Sequence, residues 1–285
     1  MRKLILLLML VTIGWCSSAM TPKDSVQIVK ANWSPKKIRP GVVHKHAPFK
    51  FLYGMPQNIH IIEVAPAGKR QSRLNLLVNE PPRTLSESAR SVHAIAAING
   101  SRFDKSNGKS LCFMKIGPDV IDTTSFGQLN GRATGALRID KKGNINLIPW
   151  GRQIENSWAE QNSVVMVAGP LLIKDGEMCA FSQSDSVFIQ ERHPRSAIGI
   201  TKDGSVLLVT ADGYFPTHAV GMSIPELAYL MKMLGCKQAL NLCGGAFTTM
   251  WVNHKDAVGV INMPSGNEVF DHSGEQPVAN ILYIR

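Results

Sequence analysis

Short apolar runs separated by turn-forming residues are the feature that most restricts how this chain folds. Residues 59–65 and 94–98 are runs of this kind, and their length and composition suit strands better than helices. Glycine (24 residues) and proline (16 residues) are frequent and interrupt the chain repeatedly. Further runs of the same type occur at 74–78, 111–116, 135–139, 145–148, 164–167, 171–174, 196–201, 206–210 and 279–284. The pattern predicts a chain built mainly from short strands.

Two helices are indicated by capping boxes, in which a hydroxyl side chain stands three residues before a glutamate. The sequence TLSE at 84–87 predicts a helix over about 85–93, and Ser223 with Glu226 predicts one that runs to Leu234. Hydrophobic residues make up 44% of the chain and charged residues 18%, so there is enough apolar material for a packed core. We therefore predict an α+β fold: a single strand-rich domain with a mixed β-sheet core and two or three helices.

The first nineteen residues have the composition of a signal peptide. Arg2 and Lys3 precede an apolar stretch, and small residues that end at Ala19 follow it. We predict cleavage after Ala19 and export to the periplasm or the cell exterior. A lipid anchor on Cys16 is less favoured, because the large Trp15 stands directly before it.

The predicted organisation is a signal peptide (1–19), an extended lead-in (20–54) and a globular domain (55–285). Beyond the leader, no segment is long and apolar enough to be a transmembrane segment. Removal of the leader takes away two cations and lowers the formal net charge from +10 to +8. This excess favours an anionic partner such as a phosphate-bearing glycan, although a plain basic surface explains it equally well. Nucleic acid is not an expected partner, because no basic run is interleaved with aromatic residues.

Four cysteines follow the leader: Cys112, Cys179, Cys236 and Cys243. In an oxidising compartment they allow three complete disulfide pairings, and the sequence does not choose among them. Neither a C-x-x-C nor an H-x-x-x-H pattern occurs, which argues against a zinc site.

Four loops at the ends of predicted strands carry the polar residues that we single out, because such loops often hold binding and catalytic groups. They contain Asn99, Arg102 and Asp104; Arg195; Asp212 and Tyr214; and Asn241, Cys243, Gly244 and Gly245. The Asn-Gly and Asp-Gly pairs in these loops are also typical of plain turns. An arginine before a buried strand suits a structural ion pair as well as a phosphate site. For Cys243, a disulfide partner or a buried thiol is favoured over a nucleophile.

In their order and spacing, these segments resemble the phosphodiester glycosidase family. The resemblance covers roughly residues 55–285. It is carried by AAINGSRFD (96–104), AGPLLIKDG (168–176), RHPRSAIGITKDG (192–204), ADG (211–213), GMSIPELAYLMKMLGCKQALNLCGG (221–245) and GEQPVAN (274–280). The resemblance implies a hydrolase that cleaves the bond between the anomeric carbon of a sugar and a phosphodiester oxygen.

Glycoside hydrolysis ordinarily uses two carboxyl groups, so the resemblance implies catalytic candidates among Asp104, Asp212 and Glu275. The implied substrate-binding residues are Asn99, Arg102, Arg195, Tyr214, Asn241, Cys243, Gly244 and Gly245. The same three carboxylates would suit a divalent cation as hard oxygen ligands, or they serve as acceptors in turns. No cofactor and no metal ligand is assigned from the sequence.

Several loop positions depart from the family pattern. The glycine loop reads N-L-C-G-G-A-F where N-L-D-G-G-G-S is usual, so Cys243 and Phe247 replace an aspartate and a serine. Tyr214 stands where an arginine is usual. Two functions stay open: an exported glycosidase that cleaves a sugar 1-phosphodiester, and a catalytically impaired relative that binds a glycan or phosphate. A cysteine-dependent acyl-transfer hydrolase is least favoured: it needs a base beside Cys243, and the sequence does not show that any of the possible bases, His193, His218 and His254, lies near it.

Overall fold

The computed structural model describes residues 20–66, 73–128, 131–182, 185–254 and 257–285. The predicted signal peptide lies outside the described residues. The α-helices are α1 (Pro22–Val29), α2 (Leu85–Ser91), α3 (Arg152–Asn156), α4 (Ser186–Gln190) and α5 (Ile224–Met233). The strands are β1 (Ser34–Arg39), β2 (Val42–Leu52), β3 (Met55–Val64), β4 (Leu74–Arg83), β5 (Ala96–Asn99), β6 (Met114–Gly117), β7 (Asp119–Asp122), β8 (Gly135–Ile139), β9 (Ile145–Pro149), β10 (Ser163–Ala168), β11 (Leu171–Lys174), β12 (Glu177–Met178), β13 (Arg195–Thr201), β14 (Val206–Ala211), β15 (Cys236–Asn241), β16 (Met250–His254), β17 (Ala257–Val260) and β18 (Val278–Ile284).

The strands form three sheets. One has eight strands in the order β1-β2-β3-β14-β13-β15-β11-β12, and the others have five strands each, β7-β6-β10-β8-β9 and β17-β16-β5-β18-β4. The strand-rich character that we predicted is confirmed. The expectation of a mixed sheet is wrong for the described strands, since every pairing among them is antiparallel. The described residues also contain five α-helices rather than two or three.

The two strongest helix predictions match the structure because their caps are formed. Thr84 and Ser223 each accept a hydrogen bond from the backbone N–H three residues later, and the glutamate side chains bond back to the cap backbone. These bonds satisfy donors that a helix otherwise leaves unpaired at its N-terminus. A third capping box, with Thr21 and Asp24, starts α1 inside the segment that we predicted as extended.

The central strands of the large sheet are buried on both faces. In β14, Leu207 and Val209 pack in the cluster that includes helix α5, whereas Leu208 packs in the cluster shared with the two smaller sheets. Alternate residues therefore enter different cores, and the strand reads as a continuous apolar run rather than an alternating one. The large sheet is the middle layer, between helices on one face and the five-stranded sheets on the other.

Residues of the predicted lead-in take part in the large sheet. β2 pairs with β3 from Val42↔Val64 through Phe49↔Gln57, and β3 pairs with β14 from Val64↔Val206 to Ile59↔Ala211. The chain before residue 55 therefore supplies strand β2, which extends the large sheet beyond β3.

The four described cysteines are free thiols in the structure, and Cys112 and Cys236 are buried. Among the described residues, no helix is long and apolar enough to cross a membrane.

Candidate active site

Antiparallel pairing gathers three of the four predicted site loops at one end of the central strands of the large sheet. β13 begins at Arg195, which lies opposite Ala211 at the end of β14, and Ala197 lies opposite Asn241 at the end of β15. The start of β13 and the ends of β14 and β15 therefore lie side by side at the same end of the sheet. A cavity of about 500 Å³ opens there.

Seven of the eight predicted binding residues line this cavity: Arg102, Arg195, Tyr214, Asn241, Cys243, Gly244 and Gly245. Asn99, the eighth, fixes the cavity wall from behind. Its Nδ2 donates to the carbonyl of Cys243 at 2.6 Å, and its Oδ1 accepts from the Ser196 hydroxyl at 2.6 Å and from the Thr249 amide at 3.1 Å. Asn99 thus joins the end of β5 to the glycine loop and to β13.

The glycine loop lies against the segment that leads into β13. A Cβ atom at Gly244 would stand 2.6 Å from the carbonyl oxygen of Pro194, so only glycine fits there without a shift of the backbone. The Gly245 amide donates to that same oxygen at 2.8 Å. Gly244 is therefore needed for close backbone approach, in addition to any contact with a ligand.

Three arginines surround the ring of Phe188. The guanidinium carbons of Arg132, Arg195 and Arg102 lie 4.6, 5.3 and 5.9 Å from its centroid. Contact with the face of an aromatic ring favours a cation. Arg132 also pairs with Asp185 at 2.8 Å, whereas no described carboxylate forms an ion pair with Arg102 or Arg195. The arrangement holds three guanidinium groups beside one cavity and neutralises only part of their charge.

Arg195 is the most firmly placed of the three. Its side chain is buried, and it donates from Nε to the Met222 carbonyl at 2.8 Å and from Nη2 to the carbonyls of Glu191 (2.9 Å) and Phe188 (3.2 Å). No described residue accepts a hydrogen bond from its Nη1. Burial lowers the pKa of Arg195 to about 10, so it stays cationic at neutral pH. The backbone bonds aim a fixed cation at the cavity.

Glu191, His193 and Tyr214 form a chain of polar contacts along the cavity wall. His193 Nδ1 lies 2.8 Å from the Tyr214 hydroxyl, and its Nε2 lies 3.3 Å from Glu191 Oε2. Burial, together with the positive charge of Arg195, lowers the pKa of His193 below its ordinary value. Burial raises the pKa of Tyr214, and Arg195 partly opposes that shift.

Asn241 and Cys243 bring different chemistry to the glycine loop. Asn241 is 2% exposed and donates to the carbonyls of Gly169 and Leu242, while its Oδ1 is buried and has no hydrogen-bond partner in the described structure. A buried acceptor of this kind suits a hydroxyl donor from a ligand. Burial raises the pKa of the Cys243 thiol, so it is neutral at pH 7. Its one hydrogen bond runs to the Gly244 carbonyl at 3.9 Å, and no described base contacts it.

The three carboxylates that we predicted as catalytic do not come together. Asp104 closes its own turn by accepting from the Ser106 amide at 2.8 Å and from the Ser106 hydroxyl at 2.7 Å. Glu275 accepts from the Ser86 amide at 3.1 Å, at the N-terminus of α2. Neither lines the cavity, and a catalytic role for each stays a prediction.

Asp212 lies in a different environment, although only one residue separates it from Tyr214. It is fully buried and accepts from Asn58 Nδ2 (2.7 Å), Asn262 Nδ2 (2.9 Å) and the Met263 amide (3.1 Å). Burial raises the pKa of Asp212 to about 6 against the effect of these donors. Its catalytic role also stays a prediction.

A second cavity, of about 440 Å³, lies beside His60 and Met263, which both contact Asp212. It is lined by His44, His46, His60, His254 and His272, together with Lys36. His60 is buried between the rings of His44 (5.4 Å between centroids) and His46 (4.3 Å). Burial lowers the pKa of His44 to about 4 and lowers that of His60 strongly. Even so, the described part of the chain contains no group of three or more His, Cys, Asp or Glu side chains arranged to hold a metal ion.

Sequence reasoning missed several residues that line the first cavity. Lys105, Arg132, Phe188 and Glu191 were not candidates, and His193 was considered only as a base for Cys243. Arg132 and Phe188 lie away from the quoted motifs, so no local pattern indicated them. His193 and Glu191 lie two and four residues before β13, and the rule that loops at strand ends often hold functional groups would have found them.

A model of the phosphodiester glycosidase family matches residues 93–285. This is more than half of the chain, and the protein therefore belongs to the phosphodiester glycosidase family. The recognition made from the motifs is confirmed, and the family and the shared fold support a hydrolase-like function. No curated protein gives a significant match to the chain.

The solved structures that share the fold include the catalytic domain of zebrafish N-acetylglucosamine-1-phosphodiester alpha-N-acetylglucosaminidase, auto-inhibited by its pro-peptide. It has a TM-score of 0.67, 19% identity and coverage of 90% of this chain and 87% of that one. A hypothetical protein from Synechocystis has a TM-score of 0.63, 16% identity and coverage of 88% of this chain. The chain spans 63% of the length of the Synechocystis protein. At these identities the likeness shows the fold alone.

Proposed function

We propose that this protein hydrolyses sugar 1-phosphodiesters bound in the cavity beside the glycine loop. The observation that carries the proposal is the set of three guanidinium groups around Phe188. A phosphodiester is an anion, and guanidinium groups bind phosphate oxygens through paired, charge-assisted hydrogen bonds. The similarity to the zebrafish enzyme, whose name specifies an N-acetylglucosamine phosphodiester, supports the same substrate class here.

The cavity divides naturally between the two halves of such a substrate. Arg102, Arg132 and Arg195 lie on the side of Phe188 and suit the phosphate. Asn241 lines the cavity and has a buried, unpartnered Oδ1, and a sugar hydroxyl that reached this atom would satisfy it. A phosphodiester is already a good leaving group, so holding its charge matters more than protonating it.

Export is part of the proposal and rests on the basic, apolar and small-residue pattern of the first nineteen residues. An exported enzyme of this class would meet phosphate-bearing glycans of the cell envelope or of a host. The basic surface would favour the approach of such polymers.

The second candidate function is binding without turnover. It is favoured by Cys243, a neutral thiol in a loop where the family usually has an aspartate. A thiol with a raised pKa cannot hold a cation or a sugar hydroxyl as a carboxylate does. The cavity would then retain glycan or phosphate binding through its arginines.

The test is the release of free N-acetylglucosamine from an N-acetylglucosamine 1-phosphodiester by the purified mature chain, with Cys243→Asp assayed alongside. Turnover by the unmodified protein supports the hydrolase. Activity in the variant alone supports the binding relative. If neither protein turns over the diester and calorimetry finds no binding of N-acetylglucosamine 1-phosphate, both candidates are wrong.

The arginine set can be tested separately. Loss of a hydrogen bond to a charged group costs about 1.5–3 kcal/mol, so Arg102→Gln should weaken substrate binding by roughly 10- to 100-fold. Arg90→Gln is the matched control, because Arg90 is exposed in the last turn of α2. Equal affinity in the two variants would contradict a phosphate site at Phe188.

A further inference from the structure

We propose that Glu191, His193 and Tyr214 form a proton relay that activates the attacking water, an inference that rests on the proposed function. The three groups are in series, with 3.3 Å from Glu191 Oε2 to His193 Nε2 and 2.8 Å from His193 Nδ1 to the Tyr214 hydroxyl. All three residues line the cavity that holds the arginines. The arrangement has the logic of a nucleophile–histidine–carboxylate triad, with a phenol in the first position.

The contacts fix the direction of proton movement. The Glu191 carboxylate can only accept, so His193 carries its proton on Nε2 and faces Glu191 with it. The other ring nitrogen, Nδ1, is then an acceptor, and the Tyr214 hydroxyl donates to it. A phenol that gives its proton to histidine in this way presents its oxygen lone pairs to the cavity as a base.

The position of Tyr214 suits this role. Its backbone φ is 70°, in the left-handed region that non-glycine residues seldom adopt. Its hydroxyl lies 3.6 Å from the position that a Cβ atom of Gly245 would occupy. The phenol therefore stands directly over the glycine loop, where a side chain at 245 would crowd it.

The reaction step balances with these groups alone. A water oxygen attacks the anomeric carbon and forms the new C–O bond, while the bond from that carbon to the phosphodiester oxygen breaks. The phosphate monoester leaves with the electron pair of the broken bond. The water proton passes to the Tyr214 oxygen as the phenolic proton passes to His193 Nδ1. Glu191 stabilises the resulting imidazolium, which then releases a proton to solvent.

The environment of His193 agrees with this assignment. Burial and the charge of Arg195 lower the pKa of His193, so its ring is neutral and able to accept a proton at neutral pH. Glu191 acts in the opposite direction and favours the imidazolium once it forms. Tyr214 is the catalytic residue, because it touches the water, and His193 and Glu191 are positioning residues that act through it.

Steady-state kinetics on the N-acetylglucosamine 1-phosphodiester test the relay. General acid–base catalysis contributes about 10²–10⁴ in rate, so Tyr214→Phe and His193→Gln should each lower kcat by roughly 100-fold or more while KM changes little. Glu191→Gln should retain some activity but shift the acidic limb of the kcat/KM profile to lower pH, because the imidazolium loses its partner. Tyr229→Phe and His218→Gln are the controls, since neither residue lines the cavity.

Wild-type kcat in Tyr214→Phe, or a ¹⁵N NMR spectrum that shows the His193 proton on Nδ1, would overturn the relay and leave the hydrolase intact. Lack of turnover in the unmodified protein, with binding of N-acetylglucosamine 1-phosphate retained, would overturn the hydrolase and the relay together. A loss of kcat at unchanged KM, accompanied by the Nε2–H tautomer in the spectrum, supports the relay.

Discussion

The stacked histidines His44, His46 and His60, here called the histidine cluster, make the stability of this protein depend on pH in a direction that can be calculated. His44 has a pKa of about 4 in the folded chain, against an ordinary value near 6.5. A depressed histidine pKa means that the unfolded chain takes up protons first. The stabilising effect is complete above the unfolded value and is lost as the pH falls from about 6.5 towards 4.

The size of the effect follows from the shift. One pKa unit corresponds to about 1.4 kcal/mol, so His44 alone costs about 2 kcal/mol of unfolding free energy between pH 7.5 and pH 5. His60 acts in the same direction. Asp212 acts against them, because its raised pKa of about 6 lets the folded chain bind a proton at higher pH than the unfolded chain does. This raises the unfolding free energy by roughly 1 kcal/mol between pH 7.5 and pH 5. The net expectation is a loss of stability.

Urea unfolding monitored by tryptophan fluorescence at pH 7.5, 6.5 and 5.0 measures this loss. His44→Gln should remove about 2 kcal/mol of the difference between pH 7.5 and pH 5. The control is His93→Asn, since His93 is exposed outside the cluster at a φ of 51°, which asparagine tolerates. A wild-type protein that gains stability on acidification, or a His44→Gln variant with the wild-type pH slope, would refute the reasoning.

Three further predictions concern single positions. A Cβ atom at residue 213 would lie 2.7 Å from the backbone nitrogen of Pro194, so Gly213→Ala should lower the unfolding free energy by about 1–3 kcal/mol, and an unchanged thermal midpoint would contradict that close approach. Thr84→Ala removes the cap of α2 and should cost about 1 kcal/mol in chemical denaturation, while a change below the error of the measurement would show that the cap is dispensable. Partial burial raises the pKa of Cys243, so iodoacetamide should label it more slowly at pH 7.5 than it labels free cysteine, and mass spectrometry that finds equal rates would contradict the neutral thiol.

The elements that the sequence predicted well are those whose cause is local. Capping boxes lie within four residues, so α2 and α5 could be located from Thr84 and Ser223. The central strands β13 and β14 could be predicted because both of their faces are buried, which makes their apolar character continuous. β2 carries several lysines and histidines and was missed, since its place in the sheet depends on pairing with β3.

The candidate site could be predicted in part for a similar reason. Antiparallel neighbours place a strand start beside two strand ends, so Arg195, Asn241 and Tyr214 line the same cavity. The carboxylates could not be placed, because nearness in the sequence does not fix the direction of a side chain. Asp212 and Tyr214 are two residues apart, yet Asp212 turns to the amides of Asn58 and Asn262.

The pairing of β3 with β14 bears on where a functional unit of this family can begin. The family model starts at residue 93, whereas β3 ends at Val64 and hydrogen-bonds to β14 along that strand's whole length. A polypeptide begun at residue 93 would leave the fully buried strand β14 as a bare sheet edge, open to pairing with any other chain. Such a fragment should aggregate rather than fold, and expression trials that take the sequence match as their boundary would fail for that reason alone.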